Sequence, residues 1–135
     1  MIHLIQAALE RRLLAMPDQL PTAFENLAFS PLAGQPYQRV HTLVNRPIDM
    51  DLAVQTREER GVFQVSLFFP LNQGRVPAQS RADALRQWFK PPQTLVEGGV
   101  QVLLLSSVQT GSGAPDSDRW HIPVSIYWRS LLSSE

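Results

Sequence analysis

Histidines and paired acids are the side chains through which this sequence could hold a metal ion. The three histidines lie far apart along the chain, at His3, His41 and His121. The acids form two pairs, Asp49 with Asp51 and Asp116 with Asp118. Neither pair continues into a calcium loop with its distal glutamate. Because turns favour aspartate, we interpret both pairs as loop acids and predict neither a metal site nor a cofactor.

Serines and glycines raise the question of a nucleophile or a phosphate loop. Ser106 and Ser107 stand outside any Gly-x-Ser-x-Gly or Ser-x-x-Lys motif. The stretch Gly111-Ser112-Gly113 lacks the Lys-Ser/Thr pair that grips phosphate and magnesium, so we interpret it as a flexible connector. The absence of cysteine excludes disulfides, thiolate zinc sites and cysteine nucleophiles. These observations together predict that the protein is not an enzyme.

Charge and composition bound the class of partner. The sequence has 12 basic and 12 acidic side chains, so it has no overall field to attract nucleic acid. Its 44% hydrophobic content and length of 135 residues predict a single domain over residues 1–135 with a core of its own. The short apolar start is soon followed by Glu10, Arg11 and Arg12. This pattern predicts no signal peptide and no membrane span, and favours an unprocessed intracellular product.

Two groups of charged and aromatic residues are candidates for a protein interface. Arg57, Glu58, Glu59 and Arg60 precede the clearest strand, either as a solvated approach to it or as an ion-pair patch between subunits. Their mixed signs favour a protein partner, since a phosphate backbone would require basic residues alone. Tyr127 and Arg129 lie on the polar face of the last predicted strand, and both residue types are favoured in interfaces. The candidate interface residues are Arg57, Glu59, Arg60, Tyr127 and Arg129.

Two amphipathic helices and several strands must position these residues. Apolar residues recur at spacings of three and four over residues 2–16, and Pro17 ends that helix. A second helix is predicted over residues 78–90, with Ser80 and Asp83 as its capping box and Pro91-Pro92 after its end. Alternating patterns predict strands over residues 37–45, 61–69 and 119–130, a short strand or extended arm over residues 23–27, and a short strand inside residues 46–57.

Glycine and proline mark the connections. Gly98 and Gly99 predict a hairpin between residues 94–97 and 100–108. Residues 111–117 are predicted to be a mobile loop of small residues. Pro123 cannot donate a hydrogen bond to a strand ladder, so it predicts an edge position or a bulge in the last strand.

Two helices are too few to cover both faces of such a sheet. We therefore predict an α+β fold: a mixed, mostly antiparallel sheet with two α-helices packed on one face. The other face would be partly uncovered and would serve as a contact surface. An edge-like last strand would be one association patch, and the charged cluster at residues 57–60 would be another.

Several segments, in this order, resemble the tail-terminator-like proteins of long-tailed bacteriophages and prophages. They are AFEN (residues 23–26), Pro31, Gly34, PYQRV (36–40), REERGVFQVSL (57–67), GGV (98–100) and PVSIY (123–127). The resemblance covers nearly the whole chain. It implies a small α+β subunit without catalytic residues that forms a ring, commonly a hexamer. Such a ring binds the last layer of tail-tube protein, stops polymerisation and presents a surface for the head.

The resemblance also implies the partners and the location. The expected partners are further copies of the chain, the major tail-tube protein and head–tail connector proteins, with no membrane and no specific nucleic acid. The protein would act in the cytoplasm of the bacterial host during assembly and then remain in the virion tail. Two alternatives stay open: a neighbouring head–tail connector (neck) protein, and a small ligand-binding or enzymatic α+β module. The second would require a deep pocket lined by Tyr37, Arg39 and His41.

Overall fold

The chain folds into two helices and nine strands in a computed structural model that describes residues 2–49 and 56–133. In chain order they are α1 (Ile2–Leu14), β1 (Thr22–Ala23), β2 (Tyr37–Val44), β3 (Ile48–Asp49), β4 (Thr56–Pro70), α2 (Val76–Trp88), β5 (Gln93–Glu97), β6 (Val100–Leu104), β7 (Gln109–Thr110), β8 (Ala114–Asp116) and β9 (Arg119–Ser133). The sheet order is β1-β2-β4-β9-β6-β5, with β3 beside β4 and with β7 and β8 beside β9. The β1–β2 pair is parallel and the other pairs are antiparallel. The predicted mixed, mostly antiparallel sheet is confirmed.

Both helices pack on the same face of the sheet, as predicted. Their buried residues are Ile5, Ala8, Leu9 and Leu13 of α1 and Ala78, Ala82 and Leu85 of α2. These side chains join one core cluster with alternate residues of the strands, among them Phe63, Val65, Val102, Val124 and Ile126. Alternation places such residues on one side of the sheet, so the apolar halves of strands and helices share a single core.

The C-terminal ends of the two helices hold each other through one reciprocal contact. The indole Nε1–H of Trp88 donates to the backbone oxygen of Arg12 at 2.7 Å, and Nη2 of Arg12 donates to the backbone oxygen of Trp88 at 2.9 Å. The guanidinium also lies 4.0 Å from the centre of the Trp88 ring. The last carbonyls of a helix lack hydrogen-bond donors within their own helix. Here a side chain of each helix supplies a donor to such a carbonyl of the other helix.

The second helix begins two residues before the predicted start. It starts at Val76 with Arg75 as N-cap, and no side chain caps it. Pro77 lies in its first turn, where the fixed φ of proline suits a helix and the missing N–H costs nothing. The predicted capping box of Ser80 and Asp83 is therefore wrong, because proline starts the helix earlier.

Strands β4 and β9 form the centre of the sheet and pair along their whole length, from Thr56 opposite Ser133 to Pro70 opposite Arg119. β4 thus starts five residues before the predicted strand, because β9 continues to Ser133 and offers partners to residues 56–60. The charged cluster at residues 57–60 is consequently part of the strand, not an approach to it.

The prediction that the last strand lies at an edge is wrong. β9 has β4 on one side and β6, β7 and β8 on the other. Pro123 is tolerated because its ring nitrogen and its carbonyl point to the same side, where Gly111 N–H donates to the Pro123 oxygen at 2.8 Å. On that side the pairing is interrupted: residues 122–123 of β9 oppose the three residues 111–113. This local irregularity fits the bulge that proline predicted.

The small-residue stretch packs closely against this interruption. A Cβ at Gly111 would lie 2.7 Å from Cγ of Pro123, and one at Gly113 would lie 2.5 Å from the Trp120 ring. The predicted mobile loop at residues 111–117 is wrong for Ala114–Asp116, which pairs with β9 as β8. Glycine serves here to bring the backbone against two side chains.

Two further strand predictions hold only in part. Of residues 23–27, only Ala23 lies in β1, and the chain turns at Asn26, which has a φ of 55°. Within residues 46–57 a short strand is present as β3, while residues 50–55, including Asp51, lie outside the described residues. The hairpin at Gly98 and Gly99 is confirmed, and its second arm ends at Leu104.

Candidate assembly surface

The side of the sheet away from the helices, which we call the open face, carries no helix among the described residues. Its side chains alternate with those of the core along β2, β4 and β9. They come from residues 37, 39, 41 and 43 of β2, residues 58, 60, 62, 64, 66 and 68 of β4, and residues 119–131 of β9 taken alternately. A solvent-exposed face is common in antiparallel sheets. The composition of that face indicates whether it remains exposed to solvent or is covered by a partner.

One end of the open face is closed by the chain's own loop. Tyr37, Phe68 and His121 are register partners on three strands and stack with ring centres 4.8 and 4.6 Å apart. Phe29 adds a ring 5.3 Å from Tyr37. Buried Arg119 lies 5.1 Å over the Tyr37 ring and donates to the backbone oxygens of residues 32 and 35. Residues 29–35 are thereby fastened over this end.

The other end of the open face remains open and carries exposed leucines beside charged side chains. Leu131 is 56% exposed there, and Leu43 and Leu105 are 45% and 48% exposed. Beside them lies a groove of about 370 Å³, which we call the arginine groove. It is lined by Asn45, Glu58, Arg60, Gly61, Leu103, Leu105, Ser106, Tyr127, Trp128 and Arg129. Exposed apolar residues around a groove of this kind are typical of a binding surface.

Three of the five predicted interface residues meet in the arginine groove. Arg60 and Arg129 are direct register partners on β4 and β9, and Tyr127 lies next along β9. Nη1 of Arg129 is 3.6 Å from Oε1 of Glu58, and the Tyr127 hydroxyl donates to Oε1 of Gln109 at 2.5 Å. Like charges directly opposite each other destabilise a sheet, so this arginine pair would be stabilised by an acidic partner.

The other two predicted residues lie on the opposite side of the sheet. Glu59 is buried and accepts a hydrogen bond at 3.0 Å from Nε of Arg57, on the face that carries the helices. The sequence cluster is thus split by strand alternation into a pair in the arginine groove, Glu58 and Arg60, and an internal ion pair. Arg57 and Glu59 remain interface predictions from the sequence, and the structure places them away from the groove.

The apolar part of the surface was missed by sequence reasoning. Leu43, Leu103, Leu105 and Leu131 were not proposed as contact residues. One signal was present: the outward alternation of Tyr127 and Arg129 continues to Leu131, which places a leucine on the polar face. Leu103 and Leu105 gave the same signal, because alternation along the predicted arm 100–108 places both on the side opposite Val102 and Leu104.

The residues with catalytic potential do not converge. His121 lies in the aromatic row, His3 is on α1, and Nδ1 of His41 is 3.6 Å from Oε1 of Glu25. Arg39 and His41 line a depression of about 360 Å³ with Phe24 and Leu27, but Tyr37 is not part of it. The described residues contain no group of three or more acids, histidines or cysteines placed to hold a metal ion. No helix in the described part of the chain is long and apolar enough to cross a membrane.

An acid protects the outer edge of β2. Oε1 of Glu25 accepts a hydrogen bond at 2.6 Å from the backbone N–H of Thr42, which takes a place that a further strand would occupy. Burial of the Glu10 carboxyl raises its pKa, and the charge of Glu25 raises it further. On the helix layer, burial lowers the pKa of Arg81, whose Nη1 donates to the backbone oxygen of Asp18 at 2.9 Å.

Comparison with known proteins agrees with this architecture. The family model described as phage tail terminator protein matches residues 4–128. One solved structure superposes with a TM-score of 0.80 and 28% sequence identity, covering 100% of this chain and 99% of that chain. No curated protein matches the chain. The family match covers almost the whole sequence, and the chain therefore belongs to the phage tail terminator family, whose members are structural proteins and not enzymes.

Proposed function

We propose that this protein caps the tail tube of a phage, as a ring of several copies, and presents the capped end for joining to the head. The observation that carries the proposal is the family match over residues 4–128. Its contact partners would be further copies of the chain, the tail-tube protein and the head–tail connector. It would assemble in the bacterial cytoplasm and remain in the virion tail.

The size of the chain supports a ring. A folded chain of 135 residues has a radius of gyration of roughly 14 Å, which is too small to cover the end of a tube alone. Ring formation joins two different patches on each subunit. The open face supplies one such patch, because it combines exposed leucines with the Arg60–Arg129 pair in one place.

Tube polymerisation in the presence of this protein tests the proposal. Tail-tube protein of the same phage is polymerised with increasing amounts of the chain, and tube lengths are measured by electron microscopy. We expect shorter tubes with the chain labelled at one end. Tubes of unchanged length that leave the chain in the supernatant would contradict capping. Binding to connector protein without binding to the tube would favour the neck-protein alternative.

Self-association is measured separately by sedimentation over a wide concentration range, alone and with short tubes. We expect association that increases with concentration or on contact with the tube. The variant Leu131→Glu should weaken both association and capping, because it replaces an exposed leucine of the open face by a charge that a partner would have to desolvate. Leu14→Glu is the matched control, since Leu14 is an exposed leucine at the end of α1. A protein that stays monomeric and ignores the tube would refute the ring.

A further inference from the structure

Strand β5 forms one edge of the sheet, and its outer side pairs with no other strand among the described residues. Its register with β6 fixes which of its backbone groups point outward. Glu97 and Val100 flank the two-residue turn at residues 98–99, and residues that flank such a turn exchange hydrogen bonds. The odd-numbered residues of β5 therefore bond to β6, whereas Thr94 and Val96 direct their N–H and C=O groups away from the sheet.

The edge of β5 lacks the features that usually keep such edges from pairing. Natural edges are commonly protected by proline, lysine, a bulge or a covering segment. Residues 93–97 contain neither proline nor lysine, and each of them pairs with β6 without a bulge. The opposite edge of the sheet differs, because β1 covers part of β2 and the Glu25 carboxylate occupies the N–H of Thr42. One edge is thus closed, and the other is left available.

The side chains at the two ends of β5 are directed to the protein's own helices. Oε1 of Glu97 accepts a hydrogen bond at 3.0 Å from Arg11 of α1, and Nε2 of Gln93 donates to the backbone oxygen of the last residue of α2 at 2.9 Å. The centre of the strand is exposed instead: Thr94 is exposed and Val96 is 60% exposed, both on the open face. The charge that could repel an approaching strand is thus bound within the chain, and β-branched side chains remain at the edge.

From these features we infer that two copies of the chain pair through β5 in antiparallel orientation, with Leu95 of each copy at the two-fold axis. In this register Thr94 of each copy lies opposite Val96 of the other, so their outward groups exchange backbone hydrogen bonds. Gln93 lies opposite Glu97, and no like charges meet. This antiparallel register overlaps the two strands completely and also matches their outward groups. A second copy therefore fits this edge, because the strand is complementary to itself.

This contact differs from those of the proposed ring and does not depend on it. A two-fold contact uses the same patch on both copies and closes as a pair, whereas a ring requires two different patches. The row of register partners Arg129, Leu103 and Thr94 leads from the arginine groove to the edge. Because the two-fold axis stands perpendicular to the sheet, pairing joins the open faces of both copies on one side, and the pair presents two arginine grooves on one surface.

Paired cysteines test the register, because the chain itself contains no cysteine. Thr94→Cys and Val96→Cys are prepared as separate full-length variants, and both positions are exposed, so folding should persist. Position 94 of one copy should lie about 5.5 Å from position 96 of the other between Cα atoms, within disulfide reach, whereas identical positions should lie diagonally, about 7–8 Å apart. Under mild oxidation, an equimolar mixture should therefore form the mixed disulfide at least about tenfold faster than either variant alone forms its own. Non-reducing gels and mass spectrometry measure both rates.

Loss of the outward donor tests the pairing itself. Val96→Pro removes an outward N–H but no hydrogen bond to β6, and proline is tolerated at such a position of an edge strand. Val96→Thr is the matched control, because it keeps the N–H and the branched side chain. Sedimentation of the isolated chain over a wide concentration range should show a weak dimer. Its association constant should be at least about tenfold lower for Val96→Pro and close to that of the wild type for Val96→Thr.

The outcomes separate this pair from the proposed function. The inference is overturned if the mixture of cysteine variants crosslinks no faster than each variant alone, or if Val96→Pro dimerises like the wild type. An equal loss for Val96→Thr and Val96→Pro would also overturn it, since the side chain and not the backbone would then make the contact. Both experiments use the isolated chain without tubes. Their failure leaves the tube-capping result unchanged, and a failure of capping leaves theirs unchanged.

Discussion

The two faces of the sheet use the same strands for opposite purposes. On the helix side, Phe63, Val65 and Val124 are fully buried with the two helices. On the open face, one residue away along the same strands, the sheet carries leucines in water and two arginines opposite each other. The first face stabilises the fold by packing against the helices. The second face leaves apolar and like-charged side chains exposed in a monomer, and an assembly partner would cover them. The difference shows that residue parity along a strand separates the side chains that form the core from those left on the surface.

The largest expected effect breaks the covered face. Phe63→Ala removes a fully buried ring that packs 6.3 Å from the Phe89 ring, so it should lower the free energy of unfolding by about 3–5 kcal/mol. Leu131→Ala on the open face should change it by no more than about 0.5 kcal/mol. Urea unfolding monitored by tryptophan fluorescence measures both. Similar losses for the two variants would contradict the assignment of the faces.

The next effect tests how closely the central strands pack. A Cβ at Gly61 would collide with the backbone oxygen of Leu43 and lie 2.8 Å from Cζ2 of Trp128, so Gly61→Ala should cost about 3 kcal/mol. Gly34→Ala is the matched control: a Cβ there meets nothing within 4 Å, and only its φ of 76° is unfavourable. We expect about 1 kcal/mol for Gly34→Ala in thermal unfolding. An equal cost at the two positions would show that the strand has room at Gly61.

A smaller effect compares how much one hydrogen bond on each side of the sheet contributes to the free energy of unfolding. Trp88→Phe removes the donor to the Arg12 oxygen in a partly buried contact and should cost about 1 kcal/mol. Tyr127→Phe removes an exposed hydrogen bond to Gln109, where water replaces the partner, and should cost no more than about 0.3 kcal/mol. Chemical unfolding of the two single variants gives the comparison. A larger loss for Tyr127→Phe would mean that the open face contributes to folding.

The smallest effect depends on pH and concerns the layer that covers the sheet. Burial and the charge of Glu25 raise the pKa of Glu10 above its ordinary value. The folded state therefore holds this proton more tightly than the unfolded state, and Glu10 lowers stability as the pH rises through its titration. Glu10→Gln should give a small gain in the unfolding temperature at pH 7 and none at pH 3. A gain of equal size at both pH values would exclude titration of Glu10 as the cause.

The sequence predicted best those elements that depend only on residues close to each other in the chain. Spacing of apolar residues predicted α1, and the Gly98-Gly99 pair predicted its hairpin. It was least informative where a distant partner decides. The length of β4 depends on β9, and Pro123 is accommodated in a central strand only because residues 111–113 interrupt the pairing beside it. Neither the length of β4 nor the accommodation of Pro123 can be predicted from the residues of that strand alone.

For the candidate surface the division is the same. The sequence by itself determined the family, the α+β class and the outward alternation that selected Tyr127 and Arg129. Tertiary structure decided that Arg60 meets Arg129 across the register of β4 and β9, that Arg57 and Glu59 form an internal pair, and that the leucines gather around the groove. The physical reason is that period and spacing fix which side of a strand a residue occupies, whereas its neighbours across the sheet are set by pairing between segments far apart in the chain.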